Sequence, residues 1–187
     1  SCYRRLKLFD PDTQKKLGIE QGDRVAWIDL DCTIVGPIAP VFQRTERFVG
    51  WGVRGTNHLR VFNGSMVMFT AGDLADVWSD FRPDVSPKTA HSAGFLGSDQ
   101  AWLSYKLARR TDCAGWSWPQ VVSFPREMRR RERLLPTGAS VIFFHGRRKP
   151  WMLEVQAQAP WLKSYWGPQQ TGAAYALKQQ SEAAASI

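Results

Sequence analysis

The chain has 187 residues, enough for one domain with a buried core and too few for two full domains. Hydrophobic residues make up 43% of it, nine of them Trp, which excludes a largely disordered chain, and no run of about 20 apolar residues is available to span a membrane. The formal net charge of +8 favours phosphates, nucleic acid, anionic glycans or anionic lipid as partners, which sets the sign of the partner and not its identity.

The sequence opens on a charged apolar mixture, CYRRLKLF, with no signal-peptide core. Cys2, Cys32 and Cys113 are odd in number and fall in no C-x-x-C spacing, so neither a disulfide framework nor a cysteine zinc site is expected, and a reducing, cytoplasmic setting fits them.

In chain order, RVAWIDLD at 24–31 reads as a buried strand running out into a turn, and IVGPI at 34–38 resumes it up to Pro37. The Gly-spaced polar stretch 43–60 reads as a loop; Trp51 within it is read as core by default, with closure over a sugar face as its alternative. VFNGSMVMFT at 61–70 reads as a second buried strand, interrupted by Asn-Gly-Ser. Leu74, Val77, Trp78 and Phe81 recur at helical spacing behind a predicted cap at Asp73. Residues 83–98 read as loop, and Asp99 to Arg110 as a second helix capped by Ser98 or Asp99. SVIFFH at 140–145 is the last strand signal, and after Pro168 the composition turns Gln- and Ala-rich. Strands alternating with helices predict an α/β layered domain over residues 1–168 and a tail over 169–187.

Asp29 and Asp31 share one face of an extended segment, where two carboxylates can approach one divalent cation. Taken alone, D-x-D is a weak signal, and its structural alternative is a solvated strand end. Two enzyme classes use the device. In a haloacid-dehalogenase-type phosphohydrolase, DLDCT would supply Asp29 as nucleophile and Asp31 as acid/base, with Gly72-Asp73 and Asp76 imitating a second acidic motif. In a metal-dependent glycosyltransferase, the pair would hold Mn²⁺ or Mg²⁺ against the diphosphate of a nucleotide sugar. The third reading is a basic nucleic-acid or anionic-glycan binding module, carried by the run from Arg126 to Arg133 with its five Arg and two Glu and by Arg109-Arg110; no nucleic-acid module signature accompanies it, so nucleic acid is not favoured.

Four blocks, WIDLDCTIVG at 27–36, VFNGSMVMFTAG at 61–72, GSDQAW at 97–102 and FFHGRRKPW at 143–151, stand in an order that resembles bacterial and phage GT-A-type glycosyltransferases. More distantly, the chain is similar to the retaining group that includes glycogenin and lipopolysaccharide galactosyltransferases. The resemblance implies a GT-A-like (Rossmann-like) mixed sheet flanked by helices, and transfer of a sugar from a nucleotide-sugar donor to an unknown glycan, lipid-glycan or protein acceptor. It implies Asp29, Asp31 and His145 as ligands of Mn²⁺ or Mg²⁺, and Lys149, assisted by Arg147 and Arg148, as the contact to the donor diphosphate. Asn63 and Gly64 would face the donor sugar, and Asp99 and Gln100 would lie on its other side as the catalytic pair. Two departures stand out: Gly146-Arg147-Arg148 is two residues tighter than the corresponding loop of the distant relatives, and the βαβ half that binds the nucleoside is expected to be missing from the front of the chain, so that the domain is N-terminally truncated. No residue is an unambiguous general base, and Asp99 would serve inverting chemistry as well as retaining chemistry.

Overall fold

The computed structural model describes residues 2–54, 60–116 and 118–166. His58 and the tail 169–187 lie outside the described residues. Among the described residues, seven strands form two sheets: β1 (Arg24–Ile28), β2 (Cys32–Ile34), β3 (Phe48–Arg54), β4 (Arg60–Thr70), β5 (Cys113–Trp116), β6 (Val121–Ser123) and β7 (Val141–Phe143). The helices are α1 (Pro11–Lys16), α2 (Ala39–Phe42), α3 (Asp76–Ser79), α4 (Ser86–Ser92), α5 (Asp99–Leu107), α6 (Phe124–Glu127), α7 (Leu153–Gln158) and α8 (Lys163–Trp166), with 3₁₀ turns at Cys2–Phe9 and Pro160–Leu162.

The larger sheet has the order β1-β4-β3-β5, antiparallel except for the parallel pair β3–β5. The smaller has the order β2-β7-β6, with β2 antiparallel and β6 parallel to β7. Side-chain alternation assigns each strand face to a layer. Phe62, Val67 and Phe69 of β4 join Leu6, Phe9, Trp102, Leu103 and Leu107 on one side of the larger sheet. Met66 and Met68, on the opposite face, meet Val121, Val141 and Phe143 of the smaller sheet. Behind that sheet, Ile142 and Phe144 pack on Phe124, Val155 and Leu162. The molecule is therefore four layers, helix, sheet, sheet and helix, which is the mixed α/β architecture expected from the sequence.

Tryptophan N–H groups tie the layers together. Trp102 donates to the Val77 carbonyl at 2.7 Å, Trp116 to Val41 at 2.9 Å, and Trp166 to the Thr33 hydroxyl at 2.8 Å. A buried indole needs such an acceptor, and each of these bonds spans two elements that the sequence separates.

Three expectations are corrected. The stretch 43–60 contains strand β3 and is not a loop throughout; Trp51 within it is core, the default reading, at 5% exposed and edge-on to Phe143 at 5.1 Å, so the alternative of closing over a sugar falls. The segment 83–98 contains α4, which starts at Ser86 with Pro87 in its first turn, a position where the missing N–H is no loss. Asp73 caps no helix, because residues 71–75 form turns and α3 begins only at Asp76; its carboxylate pairs instead with Arg47 at 3.4 Å.

Gly36, just after β2, lies against β7's approach so closely that a Cβ there would sit 2.4 Å from the Ala139 carbonyl oxygen. Gly36→Ala must push the two backbones apart, and we expect it to cost about 1–3 kcal/mol. A urea denaturation midpoint equal to that of the unmodified chain would contradict this packing.

Candidate functional site

The site is built on the break in β4. Up to Gly50 the β3–β4 ladder runs Phe48↔Phe69, Val49↔Met68 and Gly50↔Val67, and then it jumps to Trp51↔Asn63, so residues 64–66 of β4 have no partner in β3. Such a bulge frees backbone groups from the ladder. They are used at once. The Gly64 carbonyl accepts from Trp27 Nε1 at 2.8 Å and from Arg5 Nη1 at 2.9 Å. The Ser65 carbonyl accepts from the Asp29 amide at 2.7 Å, and Asn63 Oδ1 accepts from the Ser65 amide at 2.8 Å. The Asn-Gly-Ser interruption seen in the sequence is thus the seat on which the end of β1 is fixed.

Asp29 follows β1 directly, and its carbonyl accepts from the Cys32 amide at 3.0 Å, closing a turn that throws Leu30 outward. Leu30 is 92% exposed, where a continued strand would have turned it away from the two carboxylates and into the core. The turn, rather than a continued strand, brings Asp29 and Asp31 to the same side.

Arg5, which the sequence reading passed over, joins three parts of the site. Its Nη1 lies 2.5 Å from Asp29 Oδ1, and its Nη2 lies 2.8 Å from Asp99 Oδ2. Asp99, the first residue of α5, is 1% exposed. A guanidinium is the one side chain that can fork between two carboxylates and a carbonyl at fixed geometry. Gly64 clears the room for it: a Cβ there would lie 3.3 Å from Arg5 Nη2 and 3.4 Å from Asp99 Oδ2. The Gly64 amide also points at Gln100 Oε1, 3.5 Å away. Asn63, Gly64, Asp99 and Gln100 are therefore brought together with Asp29, as the sequence blocks implied.

On the other side, Lys149 forms an ion pair with Asp31 Oδ2. Asp31 Oδ1 is buried and has no hydrogen-bond partner among the described residues. His145, immediately beyond Phe144 and β7, has Nε2 2.9 Å from the Ser123 hydroxyl, and its ring stacks on Phe143 at 5.7 Å. Arg147 is exposed, just after Gly146, whose φ of 76° marks the turn. Arg148 turns away, to Glu132 at 3.4 Å and to Gln158.

The electrostatics follow from this enclosure. Burial raises the Asp29 carboxyl above the usual carboxylate range; Arg5 opposes the rise, while Asp31 and Asp99 add to it. Burial lowers His145 below the ordinary imidazole value and so favours the neutral ring; the charge of Arg126 adds to this, and Asp31 opposes it. Burial, then Asp31 and Asp29, push the Cys32 thiol far up, so it is no nucleophile.

Whether these residues suit a divalent cation turns on two observations. Two carboxylates and a neutral imidazole are an appropriate donor set for Mn²⁺, and the orphaned Asp31 Oδ1 is an acceptor that a cation would satisfy. As the side chains stand, however, Arg5 and Lys149 supply the positive charge, and among the described residues no three His, Cys, Asp or Glu side chains converge on one point. The donor set fits; a cation would take carboxylate oxygens from the two basic side chains. Asp73 and Asp76, the second acidic motif of the phosphohydrolase reading, are engaged elsewhere, with Arg47 at 3.4 Å and Lys106 at 3.0 Å.

No protein-family profile and no curated protein matches the sequence. Among solved structures, the chain is similar to the galactosyltransferase LgtC in complex with donor and acceptor sugar analogues, with a TM-score of 0.59 at 14% identity, over 91% of this chain and 67% of LgtC. An active-site mutant of LgtC matches with a TM-score of 0.52 at 13% identity, over 88% of this chain and 66% of that one. The glycosyltransferase GlyE of Streptococcus pneumoniae TIGR4 matches with a TM-score of 0.50 at 12% identity, over 84% of this chain and 42% of GlyE. At such identities the likeness is one of fold: the chain has the GT-A-like fold expected from its sequence blocks and spans about two thirds of LgtC.

Removing Arg5 leaves the buried Asp99 without its guanidinium. We expect Arg5→Ala to cost about 2 kcal/mol, below the figure for a wholly buried pair because Arg5 is 27% exposed. Arg5→Lys should recover only part of this, since one ammonium cannot fork to both carboxylates. Equal denaturation midpoints for the three chains would show that Arg5 does not organise the site.

Proposed function

We propose that this chain is the catalytic part of a metal-dependent glycosyltransferase that moves a sugar from a nucleotide-sugar donor to an acceptor. The observation that carries the reading is the gathering of Asp29, Asn63, Gly64, Asp99 and Gln100 around Arg5, with Asp31 and Lys149 beside them, on a fold shared with glycosyltransferases.

Each residue then has a role its surroundings support. Asp29, Asp31 and His145 would hold Mn²⁺ or Mg²⁺, which when bound offsets the charge of the donor diphosphate and of the leaving group. Lys149, released from Asp31, is a compact ammonium suited to a diphosphate oxygen, and the exposed Arg147 can assist it. Asn63 spends its carbonyl oxygen on the Ser65 amide, which leaves its N–H groups free to donate to sugar hydroxyls. Gln100 has the same freedom at its amide nitrogen. Asp99 is positioned by Arg5, whose guanidinium fills the space that Gly64 leaves beside it. The site keeps the reacting centre between β4 and α5 and orients it from two sides, which is where catalysis by positioning draws its advantage. Acceptor binding and the nucleoside base fall to surfaces outside these residues.

Asp31→Asn and His145→Ala should each abolish Mn²⁺-dependent binding of a nucleoside diphosphate, measured by calorimetry, while leaving the fold intact. Unchanged metal-dependent affinity in the His145 variant would remove it from the ligand set. The enzyme classes separate in a second assay. A phosphohydrolase using Asp29 as nucleophile hydrolyses aryl phosphates with Mg²⁺; we expect none, and hydrolysis lost in Asp29→Asn would overturn the transferase reading. A thermal-shift panel of nucleotide sugars, with and without Mn²⁺, should show stabilisation only when both are present.

A further inference from the structure

The run from Arg126 to Arg133 has five Arg and two Glu, and the site described above leaves it without a role. Both carboxylates of the run are engaged. Glu127 accepts from the Ser123 amide at 2.7 Å, and Glu132 pairs with Arg148 at 3.4 Å. The backbone is pinned as well: Met128 is 1% exposed in the core, and Trp161 donates to the Glu132 carbonyl at 2.8 Å. Between these anchors Arg129, Arg130, Arg131 and Arg133 are exposed and make no ion pair among the described residues. Arg130 holds a φ of 69°, a left-handed conformation that costs a non-glycine residue about 1–2 kcal/mol. A solvated basic face needs neither the pinning nor the strain.

Arg130, Arg131 and Arg133 line a cleft of about 830 Å³, whose opposite wall is α7 with Glu154 and Gln158. The volume lies within the usual range of small-molecule sites. Arg148 joins this cleft to the candidate active site: it bonds Glu132 and Gln158 on the cleft's walls, lies 4.7 Å over the Phe124 ring, and directly precedes Lys149, the partner of Asp31. One loop therefore serves both places.

We propose that this cleft is a phosphate-binding subsite for an acidic acceptor, a phosphorylated glycan. The assignment to an acceptor rests on the transferase reading; the binding of phosphate does not. Guanidinium groups fork onto phosphate oxygens, and three that lack an internal partner gain the most from doing so. The carboxylate of Glu154 and the amide of Gln158 face them, a combination that suits a ligand with one anionic end and hydroxyl groups at the other. It suits a continuous polyanion poorly, because Glu154 would repel the next phosphate. Leu134 and Ala157 complete the lining, beside the aliphatic stems of the arginines.

The test uses the full chain without metal, so that the diphosphate site is not loaded. Glucose 6-phosphate should bind by calorimetry and glucose should not. Arg131→Gln/Arg133→Gln, which leaves the strained Arg130 in place, should weaken the sugar phosphate by roughly tenfold to a hundredfold, and Arg131→Lys/Arg133→Lys should restore part of it. Mn²⁺-dependent binding of a nucleoside diphosphate should be the same in all three. Equal affinity of the unmodified chain and the Gln variant for glucose 6-phosphate overturns the subsite. Vesicles of phosphatidylglycerol bound in preference to the sugar phosphate, and lost in the Gln variant, would overturn the glycan in favour of a lipid headgroup, as tighter binding of a single-stranded oligonucleotide would in favour of nucleic acid. A wild-type chain that binds the sugar phosphate through these arginines but never the nucleoside diphosphate would leave the subsite standing and sink the transferase reading.

Discussion

Strand β4 pairs with β1 on one edge and β3 on the other, and between those paired stretches residues 64–66 leave the β3 ladder. Everything at the candidate site depends on that break. Two of its carbonyls fix Trp27, Arg5 and the amide of Asp29, and its glycine gives Arg5 the space to reach Asp99. A regular β4 would spend those carbonyls on its neighbour and would set a side chain where the guanidinium now lies. The local loss of ladder hydrogen bonds is offset by charge-assisted bonds to the same backbone.

Arg5 turns that break into an electrostatic centre. It holds two carboxylates that burial would otherwise separate, one at the end of β1 and one at the start of α5. Lys149 does the same for Asp31 from beyond β7. The result is an acidic constellation whose charge is balanced by Arg5 and Lys149, with Asp31 Oδ1 buried and without a hydrogen-bond partner among the described residues. Under the proposed function, that balance would let a cation and an anionic diphosphate each enter without meeting an unscreened field.

Part of the framework was legible in the sequence. The apolar run before Asp29, the Asn-Gly-Ser break, the Asp-Gln step opening α5 and the His-to-Lys loop each fall where a buried element ends, breaks or opens. Strand β3 was hidden because Gly50 and Gly52 remove the alternation by which a strand is read; the two glycines lie over the Phe62 ring, which a Cβ at Gly50 would approach to 3.1 Å. Helix α4 was hidden because SPKTAHS lacks an apolar stripe, and only Ser86 and Ala90 of it are buried. Arg5 was invisible for a different reason: nothing local distinguishes it from Arg4, and its role is set entirely by contacts 24 and 94 residues away, from Asp29 and Asp99 (29 − 5 and 99 − 5).

The central claim is that the end of β1, the β4 break and the loop after β7 form one cation-dependent diphosphate site. Mn²⁺ is paramagnetic, so line broadening in an amide NMR spectrum maps its position directly. With a nucleoside diphosphate present, the account predicts that substoichiometric Mn²⁺ broadens the amides of Asp29, Asp31, Gly64, His145 and Lys149 first, leaving those of Arg129 to Arg133 sharp. Broadening centred on any other region, or spread evenly over the acidic surface, would contradict it.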